Sequence, residues 1–249
     1  MTEYRGIFDA RGAHYNLANR RFPEARAEEA RNLLGHLKLA PGATWLDLGA
    51  GGGFLAERAA IEGHAGPVVG CDESIAFLAG ASAYALRTIA SFRTLPYPDA
   101  AFAAAASLAA LHHAEDPEAI VSEMLRVTSP GGRIAIGDVV AGSPASRFLN
   151  GFLDRHTATG HAGRFYGADV WQGMLVRAGG RGIRSQSVEL HWRFRGAEDA
   201  RTFSRELFGL VPETTDAEID VALEQLGLSA DAGRWRLPWT MVFASADRV

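Results

Sequence analysis

Cysteine and lysine are nearly missing from this chain of 249 residues, which holds one of each, Cys71 and Lys38. A single thiol forms no internal disulfide, and no Cys/His spacing matches a zinc site, so the sequence predicts neither a disulfide scaffold nor a bound metal. Long apolar runs are lacking too. Uncharged stretches such as Ala100 to Leu111 fall well short of the roughly 20 apolar residues that cross a bilayer. The first five residues, Met1-Thr2-Glu3-Tyr4-Arg5, carry charges of both signs and no apolar leader, which predicts a cytoplasmic address. No excess of basic charge is present. The chain has 25 basic and 29 acidic side chains, and its net −4 resides in the segment 40–139, which alone carries −6. That balance excludes a nucleic-acid footprint, and the acidic segment would repel a polyphosphate while tolerating a cationic ligand. Internal repeats, Ser/Pro linkers and charge blocks are absent, so one compact unit is expected.

What is present is an alternation. Pro23 to Leu39 has Ala30, Leu33, Leu34 and Leu37 at helical spacing and stops at Pro41-Gly42. Thr44 to Leu48 then reads as a short buried strand, Gly49 to Gly53 as a turn, Phe54 to Glu62 as a helix and Pro67 to Cys71 as a second strand. A helix over about 74–86, a strand over Thr88 to Phe92 and an Ala-rich strand within Phe102 to Leu108 continue the pattern. Asp116-Pro117 caps a helix to about Val127, and Arg133 to Asp138 is a fifth strand. Such alternation implies a parallel sheet covered by helices on both faces. Beyond it come a His-rich helical stretch from Pro144, a helix over about 168–178 and an alternating strand at Val188, Leu190, Trp192 and Phe194. A helical insertion over 197–226 and a last strand near 235–244 close the chain.

A strand, a glycine turn and a helix bring backbone amides to a ligand. Phe54 stands where a dinucleotide fingerprint wants its third glycine, and the phosphate-loop Lys-Ser/Thr ending is missing. Asp47 before the turn and Asp72 after the second strand remain. A carboxylate at the end of strand two accepts hydrogen bonds from a ribose diol, and one beside the turn holds an ammonium group. A nucleoside joined to an amino acid and carrying a cation fits both.

These residues resemble the class I S-adenosylmethionine-dependent methyltransferases. Trp45 to Ala56 is similar to the family's first motif and Val68 to Ser74 to its second. Leu95-Pro96-Tyr97-Pro98-Asp99, Ala110-Leu111-His112-His113 and Arg126 to Arg133 follow in the order of the small-molecule branch, closest to the ubiquinone/menaquinone type. The resemblance covers 41–140 well and the rest loosely. It implies an α/β fold with a seven-stranded, mostly parallel sheet, helices on both faces, N-terminal helices and a helical insertion near the C-terminus. Within one domain it implies a helical cap over 1–40, a cofactor-binding core over 41–140 and a substrate cover with the final strands over 141–249. Carried over position by position, Gly49, Ala50, Gly51 and Gly53 surround the methionine and ribose, Asp72 binds the ribose hydroxyls and Asp47 meets the methionine amino group. Glu73, Ser74 and Leu108 lie nearby, and Tyr15 closes over the methionine end. Where the family has an acidic adenine ligand this chain has Ser91, followed by Phe92, and where the family has Phe-Asp it has Phe102-Ala103.

Methyl transfer from a sulfonium is an in-line displacement that chiefly needs alignment. A base for the acceptor belongs near the end of strand four, and His113 is the expected one. Substrate contacts are expected from His156, His161, Arg164 and Tyr166. The reading is therefore a methyltransferase acting with S-adenosylmethionine, released as S-adenosylhomocysteine, on a small aromatic or quinone-like molecule. The methylated atom and the oligomeric state stay open. Two alternatives stand beside it: a degenerate, cofactor-binding regulatory module, motivated by Ser91 and Ala103, and an enzyme that uses the sulfonium only electrostatically.

Overall fold

The computed structural model describes residues 2–81, 83–161 and 163–249, the side chains of Thr2 and Glu3 excepted. Five strands run parallel: β1 (Trp45–Leu48), β2 (Val68–Asp72), β3 (Leu86–Ile89), β4 (Phe102–Leu108) and β5 (Thr128–Val139). β6 (Arg181–Phe194) and β8 (Arg234–Asp247) pair antiparallel, with the three-residue β7 (Ser229–Asp231) folded against β8 as a hairpin arm. The order is β3-β2-β1-β4-β5-β8-β6. The class expected from the sequence is thus observed, with eight strands in place of seven. The chain leaves β1 toward β2 and returns on its other side as β4, and such a switch point opens a crevice at the carboxyl ends of the strands.

Period-two alternation assigns the two faces. On β8, Leu237, Trp239, Met241 and Phe243 join one core, and Val242, Ala244 and Ala246 join the other. The first core takes Leu33, Leu34 and Leu37 of α2 (Ala27–Leu37), the apolar side of α3 (Phe54–Ile61), and Phe203 and Leu207 from the later helix at 197–208. Each leucine so buried contributes on the order of 2 kcal/mol. The second core takes Ile120, Val121 and Met124 of α5 (Pro117–Val127) and Trp171 and Leu175 of α8 (Ala168–Arg177). The remaining helices are α1 (Thr2–Arg21), α4 (Ile75–Leu78), α6 (Pro144–Phe148), α7 (Asp154–His156), α9 (Ala197–Phe208) and α10 (Asp216–Leu226).

The run of alanines in β4 favours helix intrinsically, yet Ala104, Ala105 and Ala106 are buried between β1 and β5, where tertiary pairing decides. β5 begins five residues earlier than expected because Thr128 is already paired with Phe102 before the irregularity at Pro130-Gly131-Gly132. The expected helix over 74–86 is overturned. Only one turn, α4, forms on the Ser74 cap, and β3 already starts at Leu86. Between them Tyr84 folds back so that its hydroxyl reaches the glycine turn, a tertiary tie that outweighs helix propensity; Ser82 lies outside the described residues. The expected 197–226 insertion is two helices, α9 ending on Gly209 in the left-handed conformation and α10 starting in a Thr215/Glu218 capping box.

Candidate functional site

The crevice floor is the glycine turn after β1. Gly49, Gly51 and Gly53 all have positive φ, and a β-carbon on Gly49 would stand 2.4 Å from that of Ala110. On Gly51 it would meet the ring of Phe77 at 2.6 Å. Only glycine fits there. The turn is tied to β2: the amides of Gly49 and Ala50 donate to the Cys71 carbonyl, and the Gly51 amide donates to Asp72 Oδ2 at 2.9 Å. The other oxygen of Asp72 accepts from the Ser74 amide at 2.9 Å. Burial pushes this carboxyl up to about 6, against the pull of the amides.

Asp47, in β1, is buried and has no ion-pair partner among the described residues. Its one side-chain partner among the described residues is Tyr84, whose hydroxyl stands 2.7 Å from Asp47 Oδ2 and 2.9 Å from the Ala50 carbonyl. Tyr84 has one proton for two acceptors. With Asp47 neutral, its own O–H donates to Tyr84 and Tyr84 donates to Ala50; with Asp47 ionised, Tyr84 turns its proton to the carboxylate. Burial, aided by the charge of Asp72 and opposed by Tyr84, pushes Asp47 up to about 7.

Helix α1 roofs the crevice. The Tyr4 hydroxyl donates to Asp72 Oδ2 at 3.0 Å, and the Phe8 ring lies parallel to that of Phe77, 4.6 Å away. Tyr15 stands edge-on to Phe77 and accepts a hydrogen bond from Arg26, which is itself paired with Glu29 at 2.6 Å. Beneath this roof lies a cavity bounded by the turn, Asp47, Tyr15 and Leu108.

A second cavity adjoins the first and shares Phe8, Tyr15, Arg26 and Ala109 with it. Ala109 has a φ of 52°, a conformation that L-residues store at constrained sites. The far wall carries Trp192, Phe208 and Trp239, with the two indoles stacked 4.0 Å apart. The near wall carries His112 and His113, on a 3-10 turn (Leu111–His113) after β4, and His161. Asp138, at the end of β5, accepts from His112 Nδ1 at 2.7 Å and from the His112 amide at 3.0 Å. This makes Nδ1 the donor and turns Nε2 away from the carboxylate. Asn150 orients His161 in the same way: its Oδ1 accepts from the Gly163 amide and its amide group donates to the Gly163 carbonyl, so His161 Nδ1, at 3.1 Å, is the donor. His113 has no such partner among the described residues, and burial together with the neighbouring imidazoles holds it well below the usual histidine range. One nitrogen of each of the three rings lies within 4.8 Å of one of each other, a cluster the sequence did not predict.

Of the residues expected at the site, Tyr15, Asp47, the glycine turn, Asp72, Leu108, His113 and His161 are brought together. Glu73 and Ser74 serve the loop: Glu73 accepts from the Phe92 amide, and Ser74 caps α4 and donates to Asp9. Phe92 packs on Tyr4 at 5.2 Å, whereas the Ser91 hydroxyl accepts from the Arg93 amide. His156, Arg164 and Tyr166 fall outside both cavities. His156 stacks on Phe152 and meets Thr214, Arg164 is exposed with its amide on the His112 carbonyl, and Tyr166 packs on Trp171. Sequence reasoning missed Tyr4, Phe8, Arg11, Arg26, Tyr84 and Asp138. Asp138 alone carried a signal, a carboxylate closing the apolar run Ile134-Ala135-Ile136-Gly137 at a strand's carboxyl end.

Residues 46–136 match the family described as "Methyltransferase domain". Over 132 residues the chain is 34% identical to the 27-O-demethylrifamycin SV methyltransferase of Amycolatopsis mediterranei, covering 49% of this chain and 48% of that protein. Over 139 residues it is 35% identical to the demethylmenaquinone methyltransferase of Corynebacterium urealyticum, covering 55% and 59%. The matches thus span about half the length of these curated relatives. A solved phosphoethanolamine N-methyltransferase 2 of Haemonchus contortus superposes on the whole chain and 61% of its own with a TM-score of 0.70 at 16% identity, a likeness of fold. Residues 46–136 thus match a methyltransferase domain, and the motif order and sheet order accord with the class I S-adenosylmethionine-dependent methyltransferases that the sequence resembles.

Proposed function

We propose that this chain transfers a methyl group from S-adenosylmethionine to a hydroxyl-bearing small aromatic or quinone-like molecule. The observation that carries the reading is the pair of adjoining cavities, one floored by the glycine turn and Asp47 with Asp72 bonded to that turn, the other bearing an Asp138-oriented His112. The residues of the first cavity fit the cofactor: Asp47 is a buried carboxylate with no ion-pair partner among the described residues, beside a glycine turn of positive φ whose backbone faces the cavity. Asp47 would hold its ammonium group and Asp72 its ribose. When bound, the cofactor supplies an activated methyl group on a sulfonium. The chain aligns the acceptor between the aromatic walls and takes its proton. That base is His112 rather than the expected His113, because a neutral imidazole donating to a carboxylate keeps its other nitrogen free to accept a proton. The aromatic roof of α1 excludes water. The test is release of S-adenosylhomocysteine with stoichiometric methylation of a hydroxyquinone or phenol. Cofactor that binds without methyl loss across such acceptors would contradict the reading.

Two expectations concern the cofactor side. Asp47 must be ionised to meet an ammonium group, and rising pH ionises it through about 7, so affinity rises with pH. Between pH 6 and 7.5 calorimetric affinity for S-adenosylhomocysteine should grow by about fivefold to tenfold, the ionised fraction of such a group rising by that factor. In Asp47→Asn the dependence should flatten. The Tyr4 hydroxyl holds one acceptor position on Asp72 that a ribose would use. Tyr4→Phe should therefore tighten binding by about fivefold, the worth of one competing hydrogen bond. Weaker binding in that variant would show that the hydroxyl assists the ligand instead.

A further inference from the structure

Four arginines of the described residues are buried. Three have carboxylates: Arg26 with Glu29, Arg58 with Glu24 and Glu62, and Arg133 with Asp247. The fourth, Arg11 on α1, is 7% exposed and has none among the described residues. Among the described residues its Nε has no partner, and its one hydrogen bond is a long contact from Nη1 to the Phe208 carbonyl at 3.4 Å. The guanidinium lies 5.1 Å from the centre of the Phe8 ring and lines the second cavity. A buried cation without a carboxylate partner is costly, and an incoming anion would relieve that cost.

The rest of that cavity specifies the anion's body. Its lining includes no carboxylate, so nothing there competes for Arg11. Trp192, Phe208 and Trp239 line the cavity within about 25° of parallel to one another. His112 and His161 offer ring nitrogens whose opposite sides are already committed to Asp138 and Asn150. We infer that the acceptor is an aromatic acid: its ring packs on the indole wall, its carboxylate is clamped by Arg11, and its hydroxyl is received by the histidine cluster. This deepens, and rests on, the acceptor site proposed above. A guanidinium suits the role because its planar fork meets both carboxylate oxygens at once. The same three imidazoles have the spacing of metal ligands, but the adjacent unpaired Arg11 charge opposes a divalent cation.

The experiment compares carboxylates with their neutral amides. Quenching of tryptophan fluorescence reads binding of 2-hydroxybenzoate and 1-hydroxy-2-naphthoate against the corresponding primary amides, with S-adenosylhomocysteine present. At least one acid should bind about tenfold or more tightly than its amide, as a charged hydrogen-bonded pair implies. Arg11→Met should erase the difference while melting no lower than the unmodified protein, since it removes an unpaired buried charge. Arg11→Lys should retain part of it. Amides binding as well as acids, a preference that survives Arg11→Met, or binding of neither class would overturn the inference. So would Zn2+ that binds tightly and displaces the acids. The arms run without S-adenosylhomocysteine separate the two claims. Acid selectivity lost in Arg11→Met supports the clamp even if the cofactor product fails to bind, and that failure would count against the methyl-transfer reading alone.

Discussion

Asp72→Ala should weaken binding of S-adenosylhomocysteine by about 30-fold. Loss of charged hydrogen bonds costs on the order of 2 kcal/mol, and each 1.4 kcal/mol is a factor of ten. The carboxylate stands at the carboxyl end of β2, level with the glycine turn, where a ribose diol is met in folds of this topology. It also organises its surroundings, since the amides of Gly51 and Ser74 and the hydroxyl of Tyr4 all converge on it. A loss of affinity must therefore be separated from a disturbed turn. Asp72→Asn keeps the volume and one carbonyl acceptor, so it should unfold near the unmodified protein while still binding several-fold more weakly. Unchanged affinity in either folded variant would remove the ribose assignment.

The other large effect belongs to the acceptor side. His112→Ala should lower kcat by about 10²- to 10⁴-fold, the usual contribution of a placed base, and leave affinity for S-adenosylhomocysteine unaltered. His113→Ala should cost far less, because His113 lacks the carboxylate that orients its neighbour. Asp138 acts through His112 and is a positioning residue. Asp138→Asn should lower kcat more than it changes KM, and an acceptor whose hydroxyl is already ionised at the assay pH, such as a nitrophenol, should recover much of the rate. A purely structural Asp138, which also accepts from the Val139 amide, would slow both acceptors alike. Equal losses in His112→Ala and His113→Ala would withdraw the base assignment.

The residues that bind through the main chain were the legible ones. Gly49, Gly51 and Gly53 announce positive φ, and Asp47 and Asp72 sit at ends of apolar runs, so floor and carboxylates follow from local pattern. What closes over them does not. Tyr4, Phe8 and Arg11 reach the crevice on a helix that precedes β1 by more than 20 residues, and no local periodicity records which strand ends a helix will cover. Tyr84 was hidden inside a helical pattern that a single hydroxyl contact with Asp47 and Ala50 interrupts. The choice between His112 and His113 turns on Asp138, 26 residues downstream of His112, which β4–β5 pairing brings alongside. His156, His161, Arg164 and Tyr166 followed strand five as expected, but of these four only His161 lines the second cavity.

Calorimetric titration of the intact protein with S-adenosylmethionine and S-adenosylhomocysteine, with NAD as control, tests the central claim most directly. The two-carboxylate crevice predicts micromolar, one-to-one binding of both sulfur nucleosides and no heat from NAD. A folded protein that binds neither, or that binds NAD as well as either, would contradict it.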